Sequence, residues 1–222
     1  MKRAIVLVSG GMDSCVTASF AKKYGFELYF LHINYGQKTE KRELQSFNQI
    51  ADFFNAKERL IIDMNYFANI GGSCLTDSNI EVPDGNLNSE NIPISYVPFR
   101  NANILAAATS WAEMINAEKI YIGAVEEDSS GYPDCRRSFY DSFEQTINEG
   151  TKPETNIKII TPLINLSKKD IILNAIKLKS PLELTWSCYK NETVACGRCD
   201  SCLLRERGFK QARERDPILV QN

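Results

Sequence analysis

Apolar and polar positions fall into alternating blocks along the chain. Ala4–Val8 is an unbroken apolar run, the pattern of a strand buried on both faces. It leads into Ser9-Gly10-Gly11-Met12-Asp13-Ser14 and then into a helical stretch that Gly25 ends about three turns later. "FELYFLHINYG" predicts a second strand ending near Asn34. "TEKRELQSFNQIADFF" sets Leu44, Phe47, Ile50, Ala51 and Phe54 at helical spacing, and "RLIID" predicts a third, short strand. From about Met64 to Ser95 the chain is polar and rich in Asn, Gly and Pro, without a period. A stretch of that length inside a compact domain reads as a functional loop or lid. Beyond it the pattern predicts a helix over "RNANILAAATSWAEMINA", a strand over "EKIYIGAV", a helix over "RRSFYDSFEQTINEG" and a strand over "IKIITPL". "SKKDIILNAIKLK" is a further helix, opened by Ser167 with Asp170 at the capping-box spacing.

Strands alternating with helices predict an α/β, doubly wound parallel sheet, with ligands at the carboxyl ends of the strands near a topological switch point. The expected division is an α/β domain over 1–180, carrying the 64–95 loop insertion, and a small helical C-terminal segment over 181–222. A chain of 222 residues with 43% hydrophobic content can bury a full core. The net charge of −2 argues against a large footprint for nucleic acid. No apolar run approaches the ~20 residues of a membrane span, and the first residues lack the regions of a signal peptide. A cytoplasmic protein is expected, so its seven cysteines do not read as a disulfide framework.

A strand, a glycine turn and a helix make an anion site, because backbone N–H groups and the positive helix end converge there. The turn lacks the Gly-Lys-Ser/Thr ending of a Walker A loop and the third glycine of a dinucleotide fingerprint. Asp13 beside a polyphosphate requires an intervening cation. Mg²⁺ is expected there, with Ser9 and Ser14 hydroxyls and the glycine amides supplying hydrogen bonds. A plain turn in which Asp13 or Ser14 caps the helix is the alternative.

"SCYKNETVACGRCDSC" brings together Cys188, Cys196, Cys199 and Cys202. Four thiolates complete a tetrahedral Zn²⁺ shell and leave no open position, which makes such a site structural. An iron–sulfur cluster uses the same ligands, and a redox pair or buried free thiols are the remaining alternatives. His32 is the only histidine; on its strand it is expected to be partly buried with one hydrogen bond. Cys15 reads as a packing residue and Cys135 sits in a turn-rich loop where a nucleophile is conceivable.

"SGGMDS" resembles the Ser-Gly-Gly-x-Asp-Ser signature of the PP-loop ATP pyrophosphatases, which have an adenine nucleotide alpha hydrolase-like fold. With "YGQ" (35–37), "YVPFRN" (96–101), "GAVEEDSSGYPDCR" (123–136), "TPL" (161–163) ahead of Lys168, and the four cysteines, the chain is similar to the 7-cyano-7-deazaguanine synthase family of queuosine precursor biosynthesis. The similarity runs from Lys2 to about Arg207; Phe99 stands where some members carry Gly. The resemblance implies an ATP-dependent ligase that joins ammonia to 7-carboxy-7-deazaguanine and yields the nitrile by two adenylations through an amide. It implies nucleotide binding by Val8, Ser9, Gly10, Gly11, Met12, Asp13 and Ser14. Catalytic roles fall to Asp13, Ser14, Arg100 and Lys168, and substrate contacts to Tyr132, Asp134 and Arg136. One structural Zn²⁺ per chain on Cys188, Cys196, Cys199 and Cys202, Mg²⁺ with ATP, a homodimer and no nucleic-acid partner complete the expectation. Two other classes stay open: a tRNA-modifying PP-loop enzyme, and a non-enzymatic zinc module.

Overall fold

The computed structural model describes residues 2–87, 89, 91–126 and 131–218. Its centre is a five-stranded, all-parallel sheet built from β1 (Arg3–Leu7), β2 (Glu27–Asn34), β3 (Glu58–Asp63), β4 (Lys119–Tyr121) and β5 (Lys158–Ile160). The strand order is β3-β2-β1-β4-β5, so the direction of winding reverses between β1 and β4. That reversal opens a crevice at the carboxyl ends of these two strands.

Side chains along β1 divide by parity between two cores, as the two-residue period of a strand dictates. Ala4, Val6 and Val8 pack with Phe30 against α1 (Met12–Lys23) and α2 (Glu40–Phe54), where Ala18, Phe47 and Ile50 are buried. Ile5 and Leu7 face the other way, with Leu31, toward α4 (Arg100–Met114) and α5 (Arg137–Gly150), which contribute Leu105 and Tyr140. The doubly wound sandwich is therefore the one the apolar blocks imply. Its helices are closed by α6 (Lys168–Leu178) and α7 (Asp200–Ala212), which pack on each other beside α1. Ser167 caps α6 as its spacing predicts, its Oγ accepting the Asp170 N–H at 3.2 Å.

Two strands are shorter than their apolar runs. "EKIYIGAV" forms ladder pairs only over Lys119–Tyr121, and "IKIITPL" only over Lys158–Ile160. The chain leaves the sheet at Gly123, whose backbone lies against the start of α1. A Cβ at this position would sit 2.9 Å from the Asp13 carbonyl carbon. Apolar residues past that point line the crevice instead of extending the sheet.

The 64–95 segment is packed down rather than loose. Its described residues include a five-residue helix, α3 (Tyr66–Ile70), and bury Met64, Phe67, Cys74, Leu75 and Val82 in the same core as Ile5. Its hydrophobic residues have no helical or strand period because the anchors are single side chains between turns. The C-terminal segment enters that core too, through Trp186, Cys188, Cys199 and Cys202. Arg205 is buried there, forked onto Asp216 at 2.6 and 2.9 Å and bonded to Thr185 at 2.7 Å. No helix among the described residues is long and apolar enough to cross a membrane.

Candidate active site

Gly10 turns the chain out of β1 at φ +91°, the left-handed region that favours glycine, and a Cβ there would lie 2.5 Å from the Glu43 carbonyl oxygen. The turn is tightened by two serines: the Gly11 N–H donates to Ser9 Oγ at 3.2 Å, and Ser14 Oγ donates to the Gly11 carbonyl at 2.9 Å. α1 begins at Met12, so the N–H groups of its first turn have no intrahelical acceptor and face the crevice. Asp13, in that turn, receives the Lys168 ammonium on Oδ2 at 2.6 Å. Its Oδ1 is buried without a hydrogen-bond partner. That orphaned carboxylate oxygen beside a nest of N–H donors fits a site for Mg²⁺ and phosphate.

The crevice is a cavity of about 290 Å³, near the lower end of small-molecule sites. The glycine turn, Asp13, Ser14 and Lys168 form one part of its wall, and Tyr35, Arg100, Tyr132 and Tyr189 another. Arg100, the first residue of α4, donates from Nη1 to the Tyr35 hydroxyl at 3.3 Å and lies 5.1 Å from the Tyr35 ring centroid. Its Nε is buried without a partner, and no carboxylate comes within 4.0 Å of it among the described residues. Burial opposes its charge, but the facing Tyr35 and Asp134 outweigh that and hold the guanidinium protonated. A half-buried guanidinium at a cavity wall, with no carboxylate in salt-bridge reach among the described residues, can receive an anionic group.

Tyr132 lines the cavity, its hydroxyl 2.7 Å from Ser95 Oγ. Asp134 and Arg136 are not brought to it. The Asp134 carboxylate accepts the Asn101 N–H at 2.9 Å, and its carbonyl accepts the Asn101 amide at 2.9 Å. The reason lies in α4, whose N-cap is Phe99 at φ +56°, with no side-chain oxygen to cap the helix. Asp134 supplies that cap from across the chain. Arg136 is exposed and absent from the lining. Cys135 does line the cavity, and its Sγ accepts the Asn101 amide at 3.4 Å.

The cavity residues outside the candidates read from sequence include Tyr35, Tyr189 and Glu43. Tyr35 belongs to "YGQ", and Gln37 of that stretch carries the connection. Its Oε1 accepts the Tyr35 N–H at 2.8 Å, while its Nε2 donates to Glu43 Oε2 at 3.2 Å. Thr39 Oγ1 donates to Glu43 Oε1 at 2.7 Å, and burial pushes the carboxyl up to about 7. In sequence Glu43 is one more charge in the first turn of a helix. His32 is fully buried, its Nδ1 bonded to the Val8 carbonyl at 2.8 Å, and burial keeps it neutral.

Cys188, Cys196, Cys199 and Cys202 converge with all four sulfurs within 4.8 Å of one another, and Cys196 and Cys202 are 3.9 Å apart. A tetrahedral ion with ligand bonds of ~2.3 Å sets its sulfurs ~3.8 Å apart, so the cluster fits a metal. Cys188 Sγ accepts the N–H groups of Lys190, Asn191 and Cys196, each at 3.3 Å, which favour the thiolate. The segment is tied to the nucleotide side of the fold. The Trp186 N–H donates to the Gly10 carbonyl at 2.9 Å, and Glu192 Oε1 accepts the N–H groups of Lys41 and Arg42 at the start of α2.

The glycine turn, the free Asp13 oxygen and the facing lysine make an anion-binding cavity at the switch point of the sheet. Among solved structures the chain is similar in fold to the NMN synthetase from Francisella tularensis (TM-score 0.51, 16% identity, 96% of this chain and 78% of that one). In sequence, the family profile described as "Queuosine biosynthesis protein QueC" matches residues 3–213. The 7-cyano-7-deazaguanine synthase of Chloroherpeton thalassium is 57% identical over 216 residues, covering 97% of this chain and 96% of that protein. The synthase of the same name from Nautilia profundicola is 54% identical, with 98% of each chain covered. The chain belongs to the QueC family of queuosine biosynthesis enzymes.

Proposed function

We propose that this enzyme is the ligase that makes 7-cyano-7-deazaguanine from 7-carboxy-7-deazaguanine and ammonia, using two ATP, each cleaved to AMP and pyrophosphate. One observation carries the reading beyond family membership. The phosphate turn and the Arg100 guanidinium, whose Nε has no partner, line one cavity, so an anionic acid and the α-phosphate of ATP can meet there.

A carboxylate oxygen is not a leaving group until it is joined to AMP. The first adenylation lets ammonia displace AMP and gives the amide; the second activates the amide oxygen, and its loss gives the nitrile. Met12 and Ser14 hold the phosphates by their N–H groups, and Lys168 and Arg100 offset the charge that develops on the α-phosphate. Asp13 would hold Mg²⁺, which supplies charge neutralisation on the departing pyrophosphate. Tyr132 and Arg100 contact the deazapurine acid, while Asp134 acts through Asn101 by fixing the start of α4. The four cysteines would hold one Zn²⁺ that orders the 181–222 segment, with no open position for chemistry.

The test is mass analysis of products after incubation with ATP, Mg²⁺, ammonium and the carboxylated deazaguanine. The expected products are the nitrile and two AMP per nitrile. A product that retains the carboxylate or stops at the amide overturns the scheme.

A further inference from the structure

Both halves of the proposed reaction remove protons from nitrogen. Ammonia that has attacked the first adenylate sheds one in becoming the amide. The adenylated amide sheds two in becoming the nitrile. In that second step the N–H electron pair enters the new C–N bond, and the C–O electron pair leaves on the phosphate oxygen of AMP. One proton can depart on the AMP phosphate; the other needs an acceptor at the cavity wall.

The wall offers few acceptors. His32 is buried behind the phosphate turn and is not in the lining. Asp134 is committed to the Asn101 N–H. Asp13 pairs through Oδ2 with the Lys168 ammonium at 2.6 Å, and its free Oδ1 is the oxygen assigned above to Mg²⁺. Burial raises the phenols of Tyr35, Tyr132 and Tyr189 above their ordinary range, which keeps them protonated. Glu43 is the remaining lining carboxyl, and no cation lies within 4.0 Å of it among the described residues. Each of its oxygens accepts one hydrogen bond, from Thr39 and Gln37 respectively, and has a second lone pair left over. Those two donors fix its direction, and Gln37 ties it to Tyr35 at the Arg100 wall.

We propose that the Glu43 carboxylate is the general base of this site, taking the nitrogen-borne proton as AMP leaves and passing it to solvent. The assignment rests on the ligase reading above. The charged and titratable groups acting on Glu43 are Arg100 from α4, Glu40 from its own helix and Tyr35 from the end of β2. Burial outweighs the Thr39 and Gln37 hydrogen bonds and the Arg100 charge, and brings the carboxyl to about 7, where a base is both populated and strong.

The experiment supplies 7-amido-7-deazaguanine and ATP without ammonium, and follows pyrophosphate release and nitrile formation separately across pH. In wild type, nitrile formation rises with pH and levels off above about 7. Glu43→Gln should form nitrile at least about 100-fold more slowly while still releasing pyrophosphate, and its profile should lose the rising limb. Glu43→Asp should recover part of the rate. Thr39→Val keeps the carboxylate but removes a hydrogen bond that favours its charged form, so its limb should move to higher pH. A Glu43→Gln enzyme with the wild-type rate and limb overturns the assignment, as does an unmoved limb in Thr39→Val. Equal loss of pyrophosphate and nitrile would make Glu43 a support for the phosphate turn instead. A wild-type enzyme that leaves the amide untouched overturns the ligase reading, and the base with it.

Discussion

Lys168 and Asp13, the first residue of α6 and the second of α1, meet at 2.6 Å across 155 positions of sequence. The contact sets a lysine at the amino end of a helix, where the dipole disfavours it, against a carboxylate at the amino end of another, where the dipole favours it. The local cost at α6 is offset by the pairing, and one Asp13 oxygen stays available to the cavity.

Asp13→Asn therefore separates chemistry from folding. The amide oxygen still accepts from Lys168, so the expected loss of stability is about 1–2 kcal/mol. Substrate-dependent pyrophosphate release should fall by about 100-fold or more, because a neutral side chain no longer balances Mg²⁺. Pyrophosphate release at different Mg²⁺ concentrations, paired with thermal melts, checks both halves. Normal turnover with unchanged Mg²⁺ dependence would defeat the role given to Asp13.

Arg100→Ala and Arg136→Ala should diverge. Arg100 lines the cavity with its Nε free, and its loss should raise KM for the carboxylated substrate by about 10- to 100-fold, in line with a charge-assisted contact of ~1.5–3 kcal/mol. Arg136 is exposed outside the lining, so its removal should change kcat/KM by less than about 3-fold. Steady-state kinetics on both variants decides it; a larger effect from Arg136 would relocate the substrate.

Zinc content and cysteine variants test the metal centre. Metal analysis should return one zinc per chain and little iron. Cys199→Ala removes a ligand and should lower Tm by about 10 °C or more, whereas Cys74→Ala leaves only a small buried gap worth about 2–4 °C. A brown protein absorbing near ~400 nm would point to an iron–sulfur cluster with the same ligands.

Burial gives Glu43 a stability signature as well. Its carboxyl rises from an ordinary 4.5 to about 7 in the folded protein. Between those values the folded state holds the proton and the unfolded chain has lost it. The contribution is thus complete below 4.5 and is lost as pH rises through about 7. Relative to Glu43→Gln, wild type should lose on the order of 2 kcal/mol over that window. Denaturant titrations of both proteins at pH 4.5 and 8 measure it, and a constant difference would contradict the burial of the charge.

Much of this was legible in the chain, for physical reasons that differ by residue. The buried run Ala4–Val8 and the capping pair Ser167–Asp170 are local signals, and both appear in the fold where their patterns set them. The four cysteines were readable because close spacing alone forces them together. The surroundings of Asp134 were not legible, because its partner, the start of α4, depends on Phe99 adopting φ +56° far away in sequence. The place of Glu43 was not legible because the cavity it lines is assembled from β1, α4 and the cysteine segment, none of which is near it in sequence.

The hydrogen bond from Trp186 to the Gly10 carbonyl has a consequence for how the enzyme comes into being. Synthesis proceeds from the amino end, so the phosphate turn emerges early, while Trp186, Tyr189 and Arg205 complete the cavity wall only after most of the chain has been made. A growing chain thus carries a phosphate turn with no enclosure around it. The cavity wall is complete only when the segment that carries Trp186 and the four cysteines has packed against the turn.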